Sequence, residues 1–180
     1  MGMLLRERPK TYAPPLQQDA LPPTFLGQQS ETAPATGRRT AVAVDLPGRA
    51  GAYLDSEFAP KVDAFIRYAR EAGHDITFSS ADRTQERQDQ IRNSGEGTTP
   101  AEQSLHSAGL AVDVDQFVKF PAAKQLAIRN AAERAGLSWG GTFRPKADTI
   151  HFYLDAIPGQ DRTELINNFA EQVRRLKSRQ

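Results

Sequence analysis

The chain has no cysteine. That absence removes disulfide frameworks, thiolate nucleophiles and cysteine-based zinc sites together, and it makes folding indifferent to redox compartment. Long apolar runs are missing too: nothing approaches the roughly 20 residues that span a bilayer, so no membrane insertion is expected. The opening MGMLLRERPK carries too short an apolar stretch for a secretory signal, and charge interrupts it at once. The expectation is synthesis in the cytoplasm without a recognisable signal peptide, with any work outside depending on another delivery route. Charge of one sign is also lacking. Lys and Arg number 23 against 22 Asp and Glu, a net charge of +1, so no global field favours nucleic acid or a membrane surface. The basic ending RRLKSRQ reads as a solvated last helical turn, where cations suit the helix dipole. Histidine is scarce, with three in 180 residues, and the setting of each one is therefore informative.

What is present suits one domain with a core and some additional chain. The hydrophobic fraction of 38% and charged fraction of 25% are those of an ordinary soluble domain. Residues 1 to about 40 differ from the rest. Half of the 12 prolines fall there (Pro9, Pro14, Pro15, Pro22, Pro23 and Pro34), with Gln, Thr, Ser and Ala between them. Proline removes backbone donors and blocks helix interiors, so 1–40 is expected to be an extended arm or linker and 41–180 the domain. Leu21, Phe25 and Leu26 could anchor the arm.

Within the domain, TAVAVDL (40–46) reads as a short strand. Val62, Phe65, Ile66 and Ala69 recur at helical spacing before Gly73, a suitable helix stop. HDITFSS (74–80) is β-rich, and RTQERQDQIRN is a polar helix beginning near the N-cap Thr84. NSGEGTTP (93–100) reads as loop, with GTTPAEQ as a lip on a cleft. AGLAVDVD is a strand, and PAAKQLAIRNAAERAG is a helix between Pro121 and Gly136. TIHFYLD is a strand, and a last helix carries Leu165, Ile166, Phe169, Val173 and Leu176 on one face. The alternation permits a doubly wound parallel sheet. The non-helical connection 95–103 and the polar residues at alternate strand positions favour a one-sided antiparallel sheet, hence α+β.

Three stretches concentrate chemistry: SSADRTQERQ with Arg83, SLHSAGLAVDVD with His106 and Asp113, and WGGTFRPKADTIHF with Asp148 and His151. A buried carboxylate needs a partner. His106 and Asp113 could pair with each other or face one metal ion. Zinc accepts His nitrogen and Asp oxygen, and a catalytic site uses three protein ligands. His106, Asp113 and His151 supply three donors from two strands and a loop. Alternation places Ala111, Asp113 and Asp115 on one face of their strand, and Gly109 permits close backbone approach. Asp148, at the entry of the His151 strand, can reach the reacting centre without ligating. Taken singly, His106 would read as a structural hydrogen-bonding group; the ordered set with Asp113, Asp148, His151 and Arg83 favours a metal site. Asp115 reads as exposed or as an outer partner, Trp139 as core or pocket wall, His74 as a helix-end cation, and Arg87 and Arg92 as solvated charges.

Ser104-x-His106-x-x-Gly109-x-Ala111-x-Asp113 followed by Asp148-x-x-His151 resembles the zinc D,D-peptidase family of peptidoglycan (family M15), which includes VanX- and VanY-type enzymes and phage endolysin peptidases. Trp139-Gly140-Gly141 ahead of Asp148-x-x-His151-Phe152 resembles its endolysin-like L-alanyl-D-glutamate endopeptidase branch. The resemblance runs from about Val62 to Leu154. It implies a small antiparallel sheet flanked by helices, of the hedgehog/D,D-peptidase-like kind. It further implies Zn2+ held by His106, Asp113 and His151, with Asp148 as general base. Arg83 would bind substrate or stabilise the oxyanion, and Ser104 would lie near the substrate, with Trp139 as pocket wall beside it. Two positions depart from related sequences: Asp82 stands where an aromatic often precedes the arginine, and the base is Asp rather than the Glu of the dipeptidase branch. The function implied is a monomeric zinc peptidase acting on peptidoglycan stem peptides in the periplasm or cell wall, most simply an L-Ala–D-Glu endopeptidase. A D,D- or L,D-carboxypeptidase, a non-catalytic wall- or metal-binding module, and a domain with purely structural His/Asp pairs are the alternatives.

Overall fold

The computed structural model describes residues 39–95, 103–155 and 161–179. The proline-rich arm, apart from its last two residues, and the lip GTTPAEQ, apart from Gln103, lie outside the described residues.

The described residues form an α+β fold, as the alternating strand pattern predicts. A hairpin of β1 (Ala41–Leu46) and β2 (Arg49–Asp55) leads to helix α1 (Ala59–Glu71), strand β3 (Phe78–Ser80) and helix α2 (Gln85–Asn93). Then follow β4 (Ala111–Val114), α3 (Ala122–Arg134), β5 (Ser138–Trp139), β6 (His151–Tyr153) and α4 (Arg162–Lys177). The hairpin is its own two-stranded sheet; the other strands form a four-stranded sheet in the order β3-β4-β6-β5. Every pairing in it is antiparallel. The doubly wound alternative is thereby excluded.

Two strands are absent from the sequence reading. β2 lies in PGRAGAYLD, whose two glycines and proline read as turn. Here Pro47 and Gly48 form the hairpin turn itself, Gly48 with φ of 81°, and Leu46 pairs with Arg49. β5 has two residues, too few for any periodicity to register.

The helices begin and stop as their end residues dictate. Thr84 caps α2 by accepting from the Arg87 N–H at 3.2 Å. Asp161 does the same for α4 through the Thr163 and Glu164 N–H groups. Pro121 immediately precedes α3, and Gly73 and Gly136 adopt φ of 81° and 75° just past α1 and α3. Val62, Phe65 and Ala69 of α1 are buried, as are Leu165, Ile166 and Phe169 of α4. Phe65 packs against Phe78 and Phe152 with ring centroids 6.3 and 5.1 Å apart, and Phe117 reaches Phe152 at 5.4 Å. This aromatic cluster fixes β3 and β6 against α1.

The other side of β4 is covered as well, since all four of its residues are buried. The cover is the 3₁₀ turn His106–Ala108, which ends on Gly109 at φ of 66°. A side chain at Gly109 would overlap the Phe169 ring and come within 2.9 Å of the Asp55 backbone nitrogen. The Gly109 carbonyl accepts from that same Asp55 N–H at 2.9 Å. Glycine here lets the hairpin, α4 and the His106 turn meet at one point, and that meeting sets where His106 stands.

Candidate metal centre

β4 and β6 pair with Asp113 directly opposite His151. Two residues far apart in sequence therefore share one face of the sheet as cross-strand neighbours. On the other side of β4, Ser80 of β3 is in register with Asp113. His106 comes in from its 3₁₀ turn over the same face. Asp113 and His151 are each 7% exposed and His106 is 4% exposed.

Three donor atoms converge. His106 Nε2 lies 3.2 Å from Asp113 Oδ1 and 3.2 Å from His151 Nδ1, and His151 Nδ1 lies 3.1 Å from Asp113 Oδ1. On the far side of its ring, His106 Nδ1–H donates to the Ala81 carbonyl at 2.5 Å. That bond fixes the tautomer, so Nε2 presents a lone pair to the cluster. With neutral imidazoles only one proton, on His151 Nδ1, is then available for three contacts. Lone pairs facing lone pairs at this distance are reconciled by positive charge among them, carried either by further protons on the imidazoles or by a metal ion. A tetrahedral ion with ligands at about 2.0–2.1 Å holds them about 3.3–3.4 Å apart, close to the triangle seen. The donor set fits Zn2+.

Electrostatics agree. Desolvation would raise the Asp113 carboxyl, but the charge and hydrogen bonds of His106 and His151 outweigh it and hold the group well below the usual carboxylate range. Asp113 is anionic here, as a ligand must be.

The triangle borders a cleft of about 490 Å³, whose walls include Arg83, Ser104, Phe143, Lys146, Asp148 and Arg162. Arg83 approaches over Asp113. Its Nη2 donates to Ser80 Oγ at 2.8 Å and to Asp113 Oδ2 at 3.4 Å, and its Nη1 donates to Gln88 Oε1 at 2.7 Å. Burial lowers the guanidinium pKa and Asp113 opposes that. Ser104 is buried and donates its one hydroxyl proton to Gln88 Oε1 at 3.2 Å. What it offers the cleft is an acceptor. Asp148 is exposed in the cleft wall. Its N–H donates to the Gly140 carbonyl at 3.0 Å, and its own carbonyl accepts from the His151 N–H at 3.3 Å. A Cβ on Gly140 would sit 2.6 Å from the Asp148 carbonyl oxygen and 3.0 Å from His151 Cβ. Gly140 thus permits the approach that sets Asp148 beside His151.

Trp139, expected as core or as pocket wall beside the substrate, is half-buried. Among the described residues it is not in the cleft wall. Its Nε1–H donates to the Thr149 carbonyl at 2.8 Å, and its ring lies under Arg129, 3.9 Å from the guanidinium carbon, and beside Phe117. It braces the segment that carries Asp148. Asp82 turns away to accept from the Tyr53 N–H at 3.0 Å, tying β2 to the start of α2. Asp115 makes no contact with the triangle; its carboxylate accepts from Gln116 at 3.5 Å.

Sequence reasoning missed Gln88, Phe143, Lys146 and Arg162. Phe143 packs at a tilt against His151 and Tyr153, with centroids 5.7 and 5.1 Å away, which restricts the imidazole plane. For Gln88 a signal existed. α2 has no apolar stripe, so a helix lying against the domain had to bury something polar, and Gln88 is its one buried residue.

Residues 97–154 match a family described as D-alanyl-D-alanine carboxypeptidase. Among solved structures the chain is similar to the L-Ala D-Glu endopeptidase ChiX of Serratia marcescens, at 28% identity over 53% of this chain and 79% of that one, with a TM-score of 0.41. It is also similar to a mutant of the vancomycin resistance D,D-pentapeptidase VanY from a VanB-type resistance cassette, in complex with Zn(II). That match has 18% identity over 78% of this chain and 92% of the other, with a TM-score of 0.50, and it shows the shared fold. No curated protein matches by sequence. The family match bears out the resemblance drawn from the two motifs, and with the buried His-Asp-His donor set it makes the site that of a zinc metallopeptidase.

Proposed function

We propose that the chain is a zinc-dependent peptidase that hydrolyses peptidoglycan stem peptides, as an L-Ala–D-Glu endopeptidase. The observation that carries this is the three-donor triangle bordering the same cleft as a carboxylate and a guanidinium. His106, Asp113 and His151 would hold the ion, which when bound acidifies water and polarises a carbonyl. Asp148, exposed in the cleft, takes the proton of the attacking water and returns it to the leaving amine. Arg83 meets the negative charge of the tetrahedral oxyanion or of a substrate carboxylate. Ser104 Oγ accepts from a substrate N–H. No side-chain nucleophile is needed, in keeping with a chain that has no cysteine.

Stem peptides carry free carboxylates, and Arg83, Lys146 and Arg162 give the cleft cationic walls to receive them. Among the described residues no helix is long and apolar enough to cross a membrane. Action on the wall, from the periplasm or outside, is part of this proposal, as is a monomeric state. Mass spectrometry of defined muropeptides after incubation with zinc-loaded protein tests the bond. Release of the L-Ala-containing end supports the endopeptidase. Release of a terminal D-amino acid instead assigns the carboxypeptidase alternative, and binding without any product assigns the non-catalytic module.

The division at about residue 40 belongs to the same proposal. Deleting residues 1–38 is expected to leave a cooperative melting transition and unchanged muropeptide cleavage, because that composition cannot build a core. Loss of the transition, followed by circular dichroism, would show the arm to be part of the domain.

A further inference from the structure

We infer that Gln88 is the positioning residue for Arg83, a neutral acceptor that aims the guanidinium into the cleft without cancelling its charge. The inference rests on the peptidase reading for its catalytic consequence, though its geometry stands apart from it.

Four observations lead there. First, Gln88 is 3% exposed and is the one buried residue of α2. Second, its Oε1 receives two donors, Arg83 Nη1 at 2.7 Å and Ser104 Oγ at 3.2 Å, and so ties together the two polar groups that face the substrate side. Third, the contacts of Arg83 are divided between its two terminal nitrogens. Ser80 and Asp113 hold Nη2 and Gln88 holds Nη1. A planar group held at one nitrogen can swing, and one held at both cannot. Fourth, the Arg83–Asp113 separation of 3.4 Å is long for a charge-assisted pair, which closes to about 2.7–2.9 Å when nothing prevents it. Gln88 and Ser80 pull the guanidinium off Asp113. Without that pull, attraction would draw Arg83 onto the carboxylate, which would weaken Asp113 as a metal donor and take the cation away from the substrate. An amide suits this task and a carboxylate does not. Glu at this position would accept equally well, but its charge would neutralise the field that Arg83 directs at the reacting oxygen.

The test combines nuclear magnetic resonance with a double-mutant cycle on the full zinc-loaded chain. In wild type, Arg83 should show slow rotation about Cζ–Nη, seen as separate Nη resonances; in Gln88→Met these should merge. That readout does not depend on turnover, so it judges the inference even if the protein cleaves no muropeptide, which would sink the peptidase reading alone. For turnover, Gln88→Met should lower kcat/KM by about 10–100-fold, the range set by losing a hydrogen bond to a charged group. In an Arg83→Ala background the same change should cost nothing further. Gln88→Glu should keep the separate Nη resonances yet lose kcat with KM little changed. It serves as the folded control if Gln88→Met fails to melt cooperatively. Persisting separate resonances in Gln88→Met, multiplicative losses in the cycle, or wild-type turnover in Gln88→Glu would each overturn the assignment.

Discussion

Asp148→Asn should lower muropeptide turnover by about 10²–10⁴-fold, the usual contribution of a general base, and should leave zinc content and folding nearly unchanged. The argument is geometric. Asp148 is exposed in the cleft wall, and the atoms that fix its place are its backbone N–H and carbonyl, bonded to Gly140 and His151. The substitution keeps those bonds and the side-chain shape and removes only the basicity. Its side chain is not one of the three converging donors. Zinc stoichiometry and cleavage, measured on the same preparation, check both halves. Loss of zinc with Asp148→Asn would make it a ligand, and retained turnover would remove it from the chemistry.

Asp113→Asn should behave in the opposite way, with zinc affinity and activity falling together. Replacing the anionic donor by an amide leaves two neutral imidazoles facing the ion. The loss should exceed the roughly 10–100-fold that removal of an outer partner costs. His106→Ala should do the same. It takes away a ring whose Nδ1–H is bonded to Ala81 and whose Nε2 has no role other than facing Asp113 and His151. Titration of each variant with zinc against a chromophoric chelator reads the affinities directly. Wild-type affinity in Asp113→Asn would show that the ion is held elsewhere. The chain without metal should lose stability too, because binding to the folded state alone stabilises it by mass action.

These two variants separate because sequence spacing and strand register converge on the same residues. Asp113 and His151 were legible because each sits in a short β-rich run at a position whose alternation can be counted, and antiparallel pairing puts them face to face. His106 was legible through the scarcity of histidine and its ordered spacing to Asp113, with Gly109, expected to permit close backbone approach, ending its turn at φ of 66°. The α+β class followed from the polar alternation in the strands. What escaped was set by tertiary contact. The β1–β2 hairpin is hidden by a turn-like composition whose Ala52, Tyr53 and Leu54 become strand only once buried against the rest. The contacts of Trp139, its indole N–H on Thr149 and its ring under Arg129, were not legible either, because a local pattern does not say which way a ring points. Phe143 and Lys146 line the cleft from a segment with no periodicity, and Arg162 from the first position of α4, ahead of its apolar face.

The central claim is that the His106–Asp113–His151 triangle holds a zinc ion required for stem-peptide hydrolysis. The most direct measurement is mass spectrometry of defined muropeptides incubated with chelator-stripped protein and then with the same protein reloaded with zinc in steps. The account predicts no cleavage by the stripped chain and full recovery at one zinc per chain. Cleavage that survives stripping, or its absence with one zinc bound, would contradict it.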